Sequence, residues 1–275
     1  MTRIALLQMN SGIDPDANAA RIVAAADEAA GQGAAMLFTP EMSGLIDRDR
    51  NRARAHIVPE DQDRVLAAVR AAAARTGIWV ALGSTPVLRE DGRFANRAFV
   101  IDGAGAIAAR YDKIHMFDVD LATGESWRES NAYAPGEAVV TVDTPVGKLG
   151  LAICYDLRFP ALFEEFGKLF CDVIAIPAAF TVPTGQAHWH VLQRARAIEA
   201  SAYVVCAAQV GLHEDGRSTY GHSMVIDPWG QVQLDMGGDQ AALGFSDIDP
   251  ARIAEVRAQL PSLANKREIP RLTGQ

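Results

Sequence analysis

The amino-acid sequence predicts an α/β fold in which two mixed sheets are each covered by helices. Short apolar runs alternate with alanine-rich helical segments in the first part of the chain, which is typical of sheets packed against helices. The middle of the chain instead contains pairs of apolar runs joined by turns with glycine or proline, a pattern that predicts antiparallel hairpins. The strand–helix alternation then returns, so each sheet should contain parallel and antiparallel pairs.

The predicted elements follow one another with residues that favour their ends. Gly31 and Gly33 end the first helix and Gly77 ends the second, because glycine readily adopts the left-handed conformation that closes a helix. The predicted strands span residues 4–8, 35–38, 78–82, 94–101, 107–111, 139–142, 148–153, 173–176 and 203–207. The predicted helices span residues 18–30, 61–75 and 188–200, with one more after Cys154 and one beginning near Pro250. A last hairpin is predicted to turn at residues 227–230.

Composition places the chain among ordinary globular proteins. Hydrophobic residues make up 49% of the 275 residues and charged residues 22%. No apolar run approaches the ~18 residues that a membrane-spanning helix needs, and no secretory signal is recognisable. We therefore expect a single domain over residues 1–275, no membrane partner and residence in the cytoplasm. The net charge of −8 argues against a nucleic-acid partner, because such proteins concentrate lysine and arginine on one face.

The three cysteines, Cys154, Cys171 and Cys206, are too few and too widely spaced for a disulfide framework or a zinc site. Cys171 and Cys206 lie inside apolar runs, which predicts buried side chains, whereas Cys154 stands between a strand and a helix. His188 and His190 could suggest a metal pair, but residues two apart on a helix point to different faces. The sequence therefore predicts neither a metal site nor a cofactor.

Three residues of complementary chemistry follow predicted strands. Glu41 comes after the run MLFTP, Lys113 after IAARYD and Cys154 after KLGLAI. Strand ends are rigid positions at which α/β proteins place functional groups. A thiol that attacks an amide needs a base, and Glu41 could serve, with Lys113 as a stabilising cation. From the residues alone, a solvated carboxylate, a surface ammonium, a buried thiol and a histidine base remain open alternatives.

The segment after Cys154 predicts a sharp strand-to-helix turn. Pro160 suits the first turn of a helix that begins near Phe159, and this geometry exposes a nucleophile at a helix N-terminus. The helix N-terminus would favour a thiolate, and the Tyr155 N–H could donate to a developing oxyanion. Arg158, about one helical turn beyond the cysteine, could clamp a substrate carboxylate with its planar fork.

Four segments in order, TPEM, YDKIHMFD, LAICYDLRFP and GHSMVIDPWG, resemble the signature segments of the carbon–nitrogen hydrolase (nitrilase) superfamily. The likeness continues through AHWHVLQRARAIEASAYVV and covers essentially the whole chain. It implies a four-layer αββα sandwich of two mixed sheets covered by helices, commonly paired into a homodimer or higher homo-oligomer. It also implies a Glu–Lys–Cys triad on Glu41, Lys113 and Cys154. The family's second glutamate matches Glu129, which would hydrogen-bond Lys113.

The resemblance implies an enzyme, an amidase that acts on a small-molecule amide through a cysteine thioester. Glu41 would take the thiol proton, Cys154 would attack the carboxamide, and Lys113 with the Tyr155 amide would hold the oxyanion. Ammonia would depart, and water activated by the same glutamate would release the acid. An acceptor other than water remains open, because the thioester does not choose its acceptor.

Within the superfamily, the sequence is similar to the branch of deaminated-glutathione amidases and omega-amidases. This similarity implies that Arg158 anchors a carboxylate and that His115, Phe180 and Thr184 line the pocket. Deaminated glutathione is the predicted substrate. The alternatives are 2-oxo-acid amides such as 2-oxoglutaramate, then aliphatic amides and N-carbamoyl amino acids. A catalytically inactive binding or scaffold module is the alternative class, and the intact triad counts against it.

Overall fold

The computed structural model describes residues 1–120, 122, 124 and 126–270. The strands are β1 (Thr2–Gln8), β2 (Met36–Phe38), β3 (Trp79–Leu88), β4 (Phe94–Ile101), β5 (Ile107–Asp112), β6 (Asp118–Asp120), β7 (Ser126–Arg128), β8 (Thr141–Thr144), β9 (Gly147–Leu151), β10 (Val173–Ala175), β11 (Tyr203–Cys206), β12 (Val210–Leu212), β13 (Ser218–Tyr220), β14 (Met224–Ile226), β15 (Val232–Asp235) and β16 (Ala242–Ile248). The helices are α1 (Pro15–Gly31), α2 (Arg50–Arg54), α3 (Arg64–Thr76), α4 (Pro160–Lys168), α5 (Val182–Ala200) and α6 (Pro250–Gln259). Short 3-10 helices cover Glu60–Gln62, Glu129–Asn131 and Cys154–Arg158.

Two six-stranded sheets formed by the described residues make up the centre of the fold, and both are mixed, as predicted. The first has the order β16-β1-β2-β3-β4-β5 and the second the order β15-β14-β11-β10-β9-β8. In the first sheet β1, β2 and β3 are parallel, and the outer strands are antiparallel to their neighbours. In the second sheet β9, β10 and β11 are parallel, with the same antiparallel flanks. The two sheets therefore share one pairing pattern, although the sequence contains no recognisable repeat.

The layers follow from the alternation of side chains along each strand. Ile4 and Leu6 of β1 belong to the central core that both sheets share, whereas Ala5 packs with the residues of α1 and α3. On the far side, α4 and α5 cover the second sheet, with Phe166 and Trp189 fully buried in the same core. The order helix–sheet–sheet–helix confirms the predicted four-layer αββα sandwich.

Helices α1 and α3 begin where the sequence offers a capping carboxylate. Asp14 accepts a hydrogen bond from the Asp16 N–H at 2.9 Å, and Asp63 accepts one from the Leu66 N–H at 2.9 Å. These caps place the helix starts at residues 15 and 64 rather than at the predicted 18 and 61. Gly77 ends α3 with a φ of 77°, as predicted. Within the described part of the chain, none of the helices has the length and apolarity needed to cross a membrane.

Several element boundaries differ from the prediction because tertiary pairing decides them. Strand β3 continues to residue 88 rather than 82, since β4 pairs with it across a bulge between Leu82 and Thr85. Helix α5 begins at residue 182 rather than 188, where Thr181 is the N-cap and a proline lies in the first turn. The strand predicted at 139–142 lies at 141–144. Strands β6, β7, β12, β13 and β16 and helix α2 are not predicted, because they are short or only partly buried.

The strand directions bring the predicted functional residues to one edge of the sandwich. Strand β5 is antiparallel to β4, which is antiparallel to β3, so β5 runs in the same direction as β2. The carboxyl ends of these two strands, which precede Glu41 and Lys113, therefore meet at the same edge of the first sheet. Cys154 follows β9, a parallel strand of the second sheet.

Candidate active site

Glu41 lies in a tight turn after β2, and its backbone is fixed on several sides. The next residue, Met42, has a φ of 57° and donates its N–H to the Ser84 hydroxyl at 2.8 Å. Gln209 donates its side-chain amide to the Glu41 carbonyl at 3.0 Å. The side chain itself is buried. A rigid backbone therefore determines where the carboxylate points.

The Glu41 carboxylate accepts hydrogen bonds on both oxygens. Its Oε1 accepts one from Lys113 Nζ at 2.9 Å and one from the Asn96 side-chain amide at 3.0 Å. Its Oε2 accepts one from the Ala179 backbone N–H at 2.9 Å. The Cys154 thiol lies near enough to this carboxylate for each group to shift the pKa of the other. Glu41 is thus hydrogen-bonded to Lys113 and electrostatically coupled to Cys154.

Lys113 lies between two glutamates, and its side chain is only 2% exposed. Besides the bond to Glu41, Nζ donates to Glu129 Oε2 at 2.9 Å and to Oε1 at 3.2 Å. The Asn96 amide donates to Glu129 as well, at 3.1 Å, so it bridges the two carboxylates. The Phe117 N–H donates to Glu129 at 2.7 Å. The structure therefore contains the hydrogen bond expected between Glu129 and Lys113.

Cys154 occupies a strained turn, with a φ of 48° that L-residues rarely adopt. Its N–H donates to the Pro177 carbonyl at 2.8 Å, and the N–H of Ile153 donates to the Asp156 carboxylate at 2.9 Å. A 3-10 helix over Cys154–Arg158 separates β9 from α4, which begins only at Pro160. The helix predicted to begin near Phe159 thus begins there, and the Asp156 carboxylate closes an additional tight turn before it.

Asp156, which is fully buried, joins the Cys154 turn to the segment that contains Lys113. Its carboxylate accepts hydrogen bonds from the Tyr111 hydroxyl at 2.7 Å and from the His115 N–H at 3.0 Å. His115 Nδ1 lies 2.7 Å from the same carboxylate. Because Tyr111 and His115 flank Lys113 in the chain, one carboxylate positions both the nucleophile and the cation.

The environment of each group sets its protonation state. Burial by itself would raise the pKa of Glu41, but the Lys113 ammonium lowers that pKa below its ordinary value. Burial by itself would lower the pKa of Lys113, but the carboxylates of Glu129 and Glu41 raise it well above its ordinary value. Burial and the Glu41 carboxylate raise the pKa of the Cys154 thiol, against the opposing effect of Lys113. At neutral pH the site therefore holds a carboxylate, an ammonium and a neutral thiol.

The helix N-terminus that the sequence analysis expected to favour a thiolate is therefore not the dominant influence on Cys154. That expectation relied on the N-terminus of α4, which lies six residues after Cys154 in the chain. Burial and the neighbouring Glu41 carboxylate dominate instead. A neutral thiol beside a carboxylate is the arrangement in which the base takes the proton as the sulfur attacks.

A cavity of about 570 Å³ opens beside these side chains. The residues predicted to act in catalysis or binding that line it are Glu41, Lys113, Glu129, Cys154, Tyr155, Phe180 and Thr184. Among the described residues, no hydrogen-bond acceptor is found for the Tyr155 N–H. This N–H is therefore available to a ligand oxygen in the cavity.

Arg158 is not among the residues that line this cavity. Its guanidinium packs over the rings of Phe180, at 5.2 Å, and Tyr155, at 5.9 Å. One guanidinium nitrogen lies 3.3 Å from His188 Nδ1. Arg158 therefore contacts two aromatic rings that line the cavity, and its predicted role as a direct clamp on a substrate carboxylate stays a prediction.

His115 also lies outside the lining, in contrast to the prediction. Its ring stacks on Phe159, with the ring centres 3.6 Å apart, and its Nδ1 contacts Asp156. These contacts hold the imidazole against Phe159 and Asp156. Its position supports the turn that follows Cys154.

As expected, the two histidines of the HWH run have different partners: His188 lies beside Arg158, whereas His190 contacts Asp235. His190 Nε2 lies 2.8 Å from Asp235, and His222 Nδ1 lies 2.9 Å from the same carboxylate. Within the described residues these three side chains form one group whose ligand atoms are close enough to hold a metal ion. Their mutual hydrogen bonds connect α5 to the second sheet, and none of the three lines the cavity.

Sequence reasoning misses Asn96 and Asp156, the two buried polar side chains that organise the site. Asn96 interrupts the otherwise apolar strand FANRAFVI, and Asp156 interrupts AICYDLRFP. A polar residue in a buried segment usually has a partner, so both positions gave a signal. The partners themselves depend on tertiary contacts that the sequence does not contain.

The carbon–nitrogen hydrolase family profile matches residues 3–258, and the chain belongs to this family. The match confirms the predicted enzyme class. Deaminated glutathione amidase of Yersinia enterocolitica is 38% identical over 269 residues, covering 97% of this chain and 93% of that protein. Omega-amidase NIT2 of Mus musculus is 36% identical, covering 96% of this chain and 95% of that protein. The crystal structure of the C. elegans NitFhit protein is similar with a TM-score of 0.89 at 35% identity; the match covers 97% of this chain and 65% of the NitFhit chain.

Replacing Glu41 by glutamine should lower the pKa of the Cys154 thiol. The Glu41 carboxylate raises that pKa, whereas Lys113 opposes it, so removing the negative charge leaves the ammonium to favour the thiolate. We expect the pH dependence of iodoacetamide alkylation at Cys154, followed by peptide mass spectrometry, to shift down by about one to three units. Glu137→Gln, at an exposed position, is the matched control and should leave the profile unchanged. An upward shift in the Glu41 variant would contradict the assigned protonation states.

Proposed function

We propose that the protein is an amidase that cleaves its substrate through a thioester on Cys154. One observation supports this most directly: Glu41, Lys113 and Cys154 line one cavity, where the Glu41 carboxylate is 2.9 Å from the Lys113 ammonium and raises the pKa of the Cys154 thiol. A base, a cation and a nucleophile in mutual contact are what acyl transfer from an amide requires.

In the acylation step, Glu41 accepts the thiol proton while the sulfur attacks the amide carbon. The carbonyl oxygen gains the negative charge, and Lys113 together with the Tyr155 N–H stabilises it. Glu41 then gives the proton to the departing nitrogen, the carbon–nitrogen bond breaks, and a thioester remains on Cys154. Proton transfer of this kind contributes about 10²–10⁴-fold to a rate.

In the deacylation step, a water molecule replaces the amine. Glu41, again a carboxylate, takes a proton from this water as its oxygen attacks the thioester. The carbon–sulfur bond breaks, the acid leaves, and the thiol recovers its proton from Glu41. Glu129 and Asn96 act throughout as positioning residues, because they hold Lys113 and Glu41 and need not touch the substrate.

Deaminated glutathione is the substrate that we propose, following the names of similar proteins. It combines a 2-oxo acid with cysteinylglycine through an amide bond, so the group that leaves is a dipeptide amine rather than the ammonia expected from a primary carboxamide. A cavity of about 570 Å³ is within the range that encloses ligands of this size. A small 2-oxo-acid amide, which releases ammonia, remains the second candidate, supported by the likeness to omega-amidase.

A homodimer paired through the outer helices is also part of the proposal. Val191 and Ile198 lie seven residues apart on α5, hence on one face, and are 62% and 43% exposed. Trp229, 51% exposed, stands beside them, since its neighbour Gly230 approaches the Ile198 side chain. Exposed apolar side chains grouped in this way are typical of protein interfaces. Residence in the cytoplasm stays a prediction of the sequence.

Cys154→Ala should abolish hydrolysis of deaminated glutathione, because no thioester can form. The loss should exceed about a thousandfold in kcat/KM, measured as release of cysteinylglycine. Cys171→Ala and Cys206→Ala are matched controls, since both thiols are fully buried away from the cavity, and they should retain most of the activity. Substantial turnover by the Cys154 variant would rule out the proposed nucleophile.

Val191→Glu should shift the protein toward the monomer in sedimentation velocity, because a charge would be buried in the apolar contact. The wild type should sediment with twice the chain mass of 29.5 kDa. Leu212→Glu, at a 70% exposed position on β12, is the control and should sediment like the wild type. A monomeric wild type, or an unchanged Val191 variant, would contradict pairing through α5.

A further inference from the structure

The cavity wall has a charge balance opposite to that of the whole chain. The chain contains 34 acidic and 26 basic residues, whereas arginines predominate along the cavity. The acidic lining residues are Glu41, Asp47 and Glu129, and the arginines are Arg48, Arg50, Arg54, Arg93, Arg128 and Arg217. Glu41 and Glu129 are both bonded to Lys113, Arg128 pairs with Asp120 and Arg217 pairs with Asp215. Among the described residues, Arg48, Arg50, Arg54 and Arg93 have no carboxylate partner. Such a wall favours an anionic ligand.

Two of these arginines meet at one side chain, Trp127. The guanidinium of Arg217 lies 5.0 Å from the Trp127 ring centre, and that of Arg48 lies 5.8 Å from it. The indole Nε1 of Trp127 is buried and has no hydrogen-bond partner among the described residues. An indole N–H without a partner is costly unless a ligand or water accepts from it. The indole N–H is closed to solvent, so the cluster Arg48–Trp127–Arg217 offers guanidinium donors that are held on one ring of the cavity wall.

Asp215 fixes this cluster in place. Its buried carboxylate accepts hydrogen bonds from Arg217 Nε at 2.7 Å and from the Arg48 backbone N–H at 2.8 Å. Arg217 is thereby largely neutralised. The Arg48 guanidinium, in contrast, makes no hydrogen bond or ion pair within the described part of the chain, and it lines the cavity. Within the cluster, Arg48 is therefore the arginine whose charge is available to a ligand.

A series of aromatic contacts separates the cluster from the nucleophile. Tyr155, next to Cys154, packs against Phe117 with 5.1 Å between ring centres, and Phe117 packs against Trp127 with 6.4 Å. In deaminated glutathione, the carboxylate of the acyl half is only three carbons from the carbon that Cys154 attacks. That carboxylate must stay near Tyr155. The leaving half is longer, so its terminal carboxylate is the one that can extend past the rings of Tyr155 and Phe117.

We propose that Arg48, Trp127 and Arg217 form a subsite for the terminal carboxylate of the leaving half of an extended substrate. This proposal rests on the proposed amidase function and deepens it. The Arg48 guanidinium donates to the carboxylate, the Trp127 ring positions this guanidinium, and Arg217 with Asp215 holds the cluster. A charged pair of this kind selects a dicarboxylic, peptide-like amide over a short monocarboxylic one.

A matched pair of substrates tests the subsite. The first is deaminated glutathione, and the second is the same compound with its glycine carboxylate converted to a carboxamide, which removes the charge without changing length. For the wild type, kcat/KM should be about tenfold to a hundredfold higher for the acid, the effect of one charged hydrogen bond. Arg48→Gln should bring this ratio close to one, and Arg48→Lys should restore part of it. Arg75→Gln, on the outer helix α3, is the matched control and should leave the ratio unchanged.

The outcomes separate this proposal from the proposed function. Equal kcat/KM values for acid and carboxamide in the wild type would overturn the subsite. The proposed amidase function would be unaffected, since both compounds are then hydrolysed. An undiminished ratio in Arg48→Gln would overturn it as well. If neither compound is hydrolysed, the proposed function is wrong. The subsite is then tested by calorimetric measurement of the binding of each compound to the Cys154→Ala protein. Tighter binding of the acid than of the carboxamide by the same factor supports it, and equal affinities overturn it.

Discussion

The neutralisation of one buried ammonium is the constraint on which the rest of the site depends. Lys113 is 2% exposed, and a lone cation at that depth costs several kcal/mol. Glu41 and Glu129 compensate it, each at 2.9 Å, and the Asn96 amide ties the two carboxylates together. The segments that follow β2 and β5, together with strand β4, must therefore be held in register. Two carboxylates against one ammonium also leave excess negative charge beside Cys154, which keeps its thiol protonated.

The nucleophile is supplied by the other sheet, so the site exists only when the two sheets stack. Cys154 follows β9, and the Ala179 N–H that binds Glu41 follows β10. Asp156 links the two sheets at this point, because it shapes the turn after Cys154 and accepts a hydrogen bond from the hydroxyl of Tyr111 on β5. The packing of the two sheets around the central core therefore also places the three triad side chains. Variants that shift the sheets by fractions of an ångström should lose activity before they lose the fold.

Much of the fold could be predicted from the sequence, because alternation, hairpin turns and capping residues are local signals. Glu41, Lys113 and Cys154 could be found because each follows a strand and because four ordered motifs resemble one superfamily. Their contacts with Asn96 and Asp156 could not, since they join positions far apart in the chain. The same limit applies to the contacts of Arg158 with Phe180 and of His115 with Phe159. The arginine-rich wall combines helix α2, strand β7 and loops, whose proximity no local pattern encodes.

The covalent intermediate is the most direct test of the central claim. The protein is mixed with deaminated glutathione, and the reaction is quenched with acid during the first turnover. The mass of the intact protein is then measured by mass spectrometry, before peptide mapping. The account predicts a mass increase equal to the 2-oxo acyl group, located on the peptide that contains Cys154 and sensitive to hydroxylamine, as a thioester is. The increase should appear before free acid accumulates and be absent in Cys154→Ala. Product formation with the protein unmodified throughout, or an acyl group on another residue, would contradict the account.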